Sequence, residues 1–264
     1  MKIFAFFFLA LFILTGCKPS SDIASTQDDG QNICTAPDLA LPDDIPNFEE
    51  ISDSKLKKQA FFDYFLPIIY QENSKRSNEQ ELFSKWLTQP NKLSKAETEA
   101  FSKLLTTYQI KSEDPEEIKT LLQRRVQPLP PSLVLAQAAN ESAWGTSRFA
   151  QEGNNYFGQW CFSIGCGLIP GERNHRAKHE VRVFASPQQS VASYMRNLNT
   201  HPQYQDLRTI RLQELEQQGY ASGLALAEGL SGYSERGEEY VAEIQQMIRY
   251  NKLDQLDPMP QGCR

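Results

Sequence analysis

The chain has no block of lysines and arginines, and its 33 acids outnumber its 27 bases, for a formal charge of −6. An acidic chain without a basic run has little to offer a phosphate backbone, which argues against nucleic-acid binding. No apolar run is long enough to cross a bilayer. The one unbroken stretch, Ile3 to Leu14, has twelve residues, against the roughly 20 that a spanning helix needs. There is no internal repeat, and low complexity is confined to residues 18–50. What remains, 40% hydrophobic and 23% charged over 264 residues, describes globular material with a real core in one or two domains.

The short apolar run follows Lys2 and leads into Leu14-Thr15-Gly16-Cys17. A basic residue, an apolar region and a small-residue site form an export signal, and this one resembles a bacterial lipobox. The resemblance implies that residues 1–16 are removed and Cys17 is lipidated, anchoring the chain in a membrane; a plain signal peptide with a chance Cys is the alternative. Lys18 rather than Asp after the Cys, by resemblance to Gram-negative lipoproteins, favours the outer membrane, facing the periplasm. Removing the leader takes away Lys2 and no acid, leaving a charge of −7.

Four cysteines then remain: Cys34, Cys161, Cys166 and Cys263. An even count in an oxidising compartment predicts two disulfides. Of the three possible pairings the preferred one joins Cys161 to Cys166 and Cys34 to Cys263. Cys161, Cys166, His175 and His179 also have zinc-finger-like spacings, but the histidines run into the strand-like HEVRVF, so no metal is expected. Nothing points to a cofactor or to an oligomer, and a monomer is expected.

Residues 17–50, rich in Ser, Asp, Pro and Gln, read as a flexible tether. Residues 51–127 read as a helical extension. Leu56, Ala60, Phe61, Tyr64, Phe65 and Ile68 keep helical spacing, with Pro67 as a kink. Asn78 with Glu81 signals a separate helix carrying Leu82, Phe83 and Trp86. Ser94 with Glu97 is a capping box, and Asp114-Pro115 starts a further helix. These stripes are expected to be core rather than a ligand groove.

After Pro128–Pro131 comes SLVLAQAANESAWG. Ser132 is the expected N-cap of a nearly all-apolar, hence buried, helix that stops at Gly145. Glu141 falls in its last turn, where the helix dipole disfavours a carboxylate, and Trp144 is expected on the same face. A buried, dipole-opposed Glu beside an indole holds its proton tightly, as a general acid must near neutral pH; the alternative is a helix-end Glu in solvent or paired with an Arg. Residues 159–184 then carry Cys, Gly, Pro and β-branched residues. Glu180 to Phe184 alternates, predicting a small β-hairpin with residues 171–178 as its turn. Ser186-Pro187 opens a helix, short helices follow, and a last long one is expected near Glu235 to Tyr250. The class is α+β, mainly α.

Four segments, LAQAANESAWGTSRFA, NNYFGQW, HEVRVFASPQQSVASYMRNL and LSGYSERGEEYVAEIQQMI, in this order and spacing, resemble the Bax-like proteins of the bacterial glucosaminidase family (glycoside hydrolase family 73). The likeness runs from about Pro128 to Leu253, and KKQAFFDYFLPII resembles the extension that precedes the domain in that group. It implies a lysozyme-like domain over 128–257, with residues 258–264 as a C-terminal tail, that cleaves the β-1,4 bond from N-acetylglucosamine to N-acetylmuramic acid in peptidoglycan. It places Glu141 as catalytic acid and Tyr233 facing it across the cleft. Trp144, Asn155, Tyr156, Phe157 and Gly158, with Asn154, become substrate-site residues. A second carboxylate, usual in glycosidases, is expected at Glu180, with Glu172 as the alternative; either could instead pair with Arg173, Arg176 or Arg182. A lytic transglycosylase or muramidase of the same fold, and a glycan-binding scaffold without activity, are the competing readings.

Overall fold

The computed structural model describes residues 41, 42, 44–171 and 179–258. The leader, Cys17, the tether as far as residue 40, Glu172, Arg173, His175, Arg176 and the expected Cys34–Cys263 bridge lie outside these residues. Among the described residues no helix is long and apolar enough to cross a membrane.

The folded part begins before residue 50. Phe48 is 3% exposed, with its ring 5.3 Å from that of Phe61, and Leu41 packs against the same core. Asp53 caps the first helix, α1 (Ser54–Thr88), by accepting hydrogen bonds from the amides of Lys55 and Leu56 at 2.9 and 2.8 Å. This helix of 35 residues replaces the two that were expected. Pro67 and Asn78 both lie inside it because tertiary partners hold the intervening turns. Buried Asn73 bonds the carbonyl and amide of Leu129 at 2.8 and 3.0 Å, and Gln80 donates to the Val126 carbonyl at 2.9 Å. A start signal is a local preference, and packing of a continuous buried face overrides it.

The helices α2 (Lys95–Thr107) and α3 (Pro115–Arg125) start at the predicted capping box of Ser94 with Glu97 and at the Asp114 cap. They fold onto the far end of α1 around Phe83, Phe101, Leu104, Tyr108 and Leu122. The near end of α1 belongs to the main core instead. Phe61, Tyr64, Phe65, Ile68 and Ile69 pack in one cluster with α4 (Pro131–Glu141), α6 (Pro187–Thr200) and α9 (Glu238–Tyr250). One core therefore spans the junction expected between 127 and 128.

At the centre of that core is α4, whose residues from Leu133 to Ala139 are fully buried, as its composition requires. Its N-cap is Pro130, not Ser132. Ser132 lies within the first turn, where its amide and hydroxyl donate to the buried carboxylate of Asp257 at 3.1 and 2.7 Å. The same carboxylate accepts from the amide of Gly223 at 2.8 Å, at the start of the short helix α8 (Gly223–Leu226). The capping oxygen comes from the far end of the chain because Ser132 itself is already helical.

The β lobe is a three-stranded antiparallel sheet of β1 (Trp160–Cys161), β2 (Gly167–Leu168) and β3 (Glu180–Arg182), in the order β1-β3-β2. Val181 pairs with Trp160 on one side and Leu168 on the other. The predicted Cys161–Cys166 disulfide is present and closes the loop between β1 and β2. The molecule is mainly helical with this small sheet, the expected α+β class.

Candidate active site

The helix α4 delivers Glu141 and stops there, four residues before the glycine expected to end it. The amides of Ser142 and Trp144 return to the carbonyls of Ala138 and Ala139, and Ala143, Trp144 and Gly145 all take positive φ, at 49°, 59° and 79°. Left-handed Ala and Trp carry strain that only surrounding contacts sustain. The contacts here are aromatic. The Trp144 ring lies 5.7 and 5.4 Å from those of Phe61 and Phe62, and Lys58 sits 4.9 Å over it. A Cβ on Gly145 would stand 2.4 Å from the Phe48 ring, so that position admits only glycine. The helical register that would put Trp144 beside Glu141 ends before it begins: the indole faces α1, not the cleft.

Glu141 opens onto a cleft of about 960 Å³ between the helical body and the β lobe. Its Oε1 accepts a hydrogen bond from the Tyr240 hydroxyl at 2.7 Å. Behind Tyr240, Gln137 donates from Nε2 to the Tyr240 oxygen at 2.8 Å and accepts from the Tyr194 hydroxyl. Gln137 and Glu141 are four residues apart on α4, so one helical face carries both. With the Gln137 amide nitrogen on the Tyr240 oxygen, the proton of Tyr240 is directed at Glu141. Burial pushes the Glu141 carboxyl above its usual range; the bonds from Tyr240 and Asn140 and the charge of Arg236 oppose this without cancelling it. Its Oε2 lies 3.6 Å from where a Cβ on Gly158 would stand, and Gly158, with φ +62°, lines the cleft.

The turn Asn154–Gly158 shapes this floor through its backbone more than its side chains. Buried Asn155 donates to the carbonyls of Gln159 and Arg182, both at 2.9 Å, and accepts from the amides of Phe157 and Gln159. Asn154 caps the helix α5 (Arg148–Gly153) in the left-handed conformation. Tyr156 points into the core against Phe65, with ring centroids 4.6 Å apart. Phe157 and Gly158 reach the cleft; Asn155 and Tyr156 hold the turn.

Tyr233 also lines the cleft, but it does not bond Glu141. Its hydroxyl donates to the Phe157 carbonyl at 2.8 Å, and its ring stacks on Tyr240 at 5.5 Å with planes 6° apart. The tyrosine on the acid is Tyr240, which sequence reasoning missed. Its spacing to Ile244 and Ile248 on α9 disguises it as core. Gln137 was the available signal, a fully buried amide in an apolar helix one turn before the acid.

Glu180 is turned away from the cleft. It is 5% exposed, and its oxygens accept from the amides of Gly165 and Gly167 at 3.1 and 2.8 Å. The strand's period of two explains this: its neighbours His179 and Val181 line the cleft, so Glu180 points into the lobe and braces the disulfide loop. Among the described residues the acids that line the cleft are Glu141 and Glu235, the latter on the exposed loop before α9. The zinc reading loses two ligands to the Cys161–Cys166 bond, while His179 stacks on Trp160 at 4.1 Å.

The profile of the family named Glucosaminidase, described as mannosyl-glycoprotein endo-beta-N-acetylglucosaminidase, matches residues 118–253. Protein bax of Escherichia coli strain K12 is 32% identical over 202 residues, covering 74% of this chain and 70% of that protein. No solved structure matches.

Proposed function

The chain belongs to the glucosaminidase family, and from that premise we propose that it is a peptidoglycan hydrolase cleaving the β-1,4 bond from N-acetylglucosamine to N-acetylmuramic acid. The observation that carries this reading is the Glu141 carboxyl, raised in proton affinity by burial and held by Tyr240 in the lining of an open cleft. Glu141 protonates the glycosidic oxygen as the bond from the sugar's C1 breaks, and Tyr240 stabilises the carboxylate left behind. With Glu180 engaged by backbone amides, the substrate's own acetamido oxygen closes on C1 as positive charge develops there. Water then opens that ring and returns its proton to Glu141, which restores the acid. Tyr233 holds the Phe157 carbonyl and so the floor on which the sugar rests.

The test is release of soluble fragments from purified sacculi. Glu141→Gln is expected to fold and to lose about 10²–10⁴-fold of the rate; full activity in that variant overturns the reading. A second reading, lytic transglycosylase, is favoured by one observation, the placement of Glu180 outside the cleft, since those enzymes work with a single Glu. Product mass separates the two: reducing N-acetylglucosamine ends support hydrolysis by a glucosaminidase, and anhydro-muramyl ends support the transglycosylase. Binding to sacculi without release of product supports a scaffold.

The cellular setting proposed is the periplasmic face of the outer membrane, through a lipid on Cys17. The leader motif supports it. Cys17→Ser is expected to abolish incorporation of labelled fatty acid and to free the protein from membranes; fatty-acid labelling that persists overturns it.

A further inference from the structure

A second hollow adjoins the cleft, and its chemistry differs from that of the first. It encloses about 330 Å³ and shares Gln159, Trp160 and Asn197 with the cleft, so the two are continuous at the junction of α6 and β1. Two guanidinium groups line it, Arg182 on β3 and Arg196 on α6. Among the described residues the rest of its lining, Gln109, Ser193 and Thr200 with the three shared residues, contains no acid. Among the described residues neither Arg182 nor Arg196 stands in an ion pair, although Arg76, Arg148 and Arg236 each do. Both residues are exposed. In a chain of net charge −6, two cations outside these ion pairs, Arg182 also lying 5.9 Å over the Phe184 ring, line a hollow with no acid among its described residues and form a local positive field opposite in sign to the whole.

A guanidinium is a planar fork of donors that matches a carboxylate, and two of them around one hollow select an anionic group over a neutral sugar. The neutral hydroxyl and amide groups beside them add donors. Trp160, 56% exposed and stacked on His179, forms an apolar step between the cleft and the hollow.

We propose that this hollow binds a free carboxylate of the peptide stem carried by muramic acid while the glycan lies in the cleft. The assignment rests on the peptidoglycan reading given above. In that substrate the glycan backbone is largely neutral and the stem carries the carboxylates, so a cationic hollow branching from the cleft meets the one part of the polymer that branches from the glycan. It would make the protein prefer strands whose stems carry free carboxylates over strands whose stems are amidated.

The experiment measures binding and not turnover, so that it stands apart from the cleavage test. The full chain bearing Glu141→Gln is titrated with soluble stem-bearing glycan fragments of one length, with the stem carboxylates either free or converted to neutral amides. The fragment with free carboxylates is expected to bind about tenfold more tightly, an advantage that falls with salt. Adding Arg182→Gln and Arg196→Gln together is expected to remove that advantage. Equal affinity for the two fragments overturns the proposal, as does an advantage that survives in the double variant, or binding of neither fragment. A chain that prefers stems with free carboxylates yet cuts no sacculi keeps this hollow and loses the hydrolase reading instead. Both arginines are exposed, and an unchanged melting temperature in the double variant confirms that the fold is intact.

Discussion

The Tyr240 hydroxyl donates to Oε1 of Glu141 at 2.7 Å, and Gln137 on the same helix as Glu141 fixes the direction of that bond. An acid so placed has one oxygen committed to a neutral donor. Its other oxygen, Oε2, is the one beside Gly158. The bond favours the ionised form, so it tempers the rise in pKa that burial causes.

Tyr240→Phe removes that bond, so the Glu141 pKa moves further up. A general acid works while protonated, and the high-pH limb of activity follows its pKa. The limb is expected to move to higher pH in this variant. The variant also leaves the buried Gln137 amide without its acceptor, at a cost of about 1–3 kcal/mol. The pH dependence of kcat/KM together with a melting curve checks both; a limb that stays in place or moves down contradicts the assignment.

Glu141→Gln carries a stability signature as well as a catalytic one. A carboxyl whose folded pKa is raised favours the fold most when pH is below its ordinary value of 4.5, and loses that contribution as pH rises through the folded pKa. Replacing it with an amide removes the cost of ionisation. The variant is expected to melt no lower than the parent at neutral pH, with any advantage vanishing below about pH 4.5. Melting temperatures across pH 4–8 read this out, and a variant less stable at every pH argues against a desolvated acid.

Glu180→Gln distinguishes a brace from a catalytic carboxylate. Gly165 and Gly167 both donate to Glu180, and an amide can accept on only one side. The variant is expected to lose about 1–3 kcal/mol of stability while keeping activity within about tenfold of the parent at a temperature where it is folded. Loss comparable to that of Glu141→Gln would return Glu180 to the chemistry.

Asp257→Asn tests the cap borrowed across the chain. Burial pushes Asp257 up to about 6 although three donors favour its ionised form. The variant turns one acceptor into a donor facing donors and is expected to lose about 1–3 kcal/mol. The parent's carboxyl contributes most below pH 3.8, and that part fades as pH rises through about 6, so the gap between the two proteins narrows toward neutral pH. Denaturant titrations at pH 5 and pH 7.5 give the two gaps; a wider gap at the higher pH reverses the sign and rejects the assignment.

The parts that local chemistry decides were legible in the chain. Ser94 with Glu97, Asp114-Pro115 and Ser186-Pro187 start helices where their side chains meet their own next turn. The apolar run from Leu133 to Ala139 announces burial, and Glu141 at its end announces an acid of raised proton affinity. Cys161 and Cys166 are close enough in sequence to find each other.

What only the tertiary structure decided depends on partners distant along the chain. Whether α1 continues through Asn78 is settled by Asn73 bonding Leu129, 56 residues away. Which group caps α4 is settled by Asp257, 125 residues from Ser132. Which tyrosine meets the acid is settled by a bond across 99 residues. Periodicity does predict that β3 alternates, but not which side of it faces the cleft, and one step of register separates a second carboxylate from a loop brace. A side chain's type and local spacing follow from the sequence. Its partner follows from how the helices pack, because burial makes each unpaired polar group costly and packing determines which groups lie within reach.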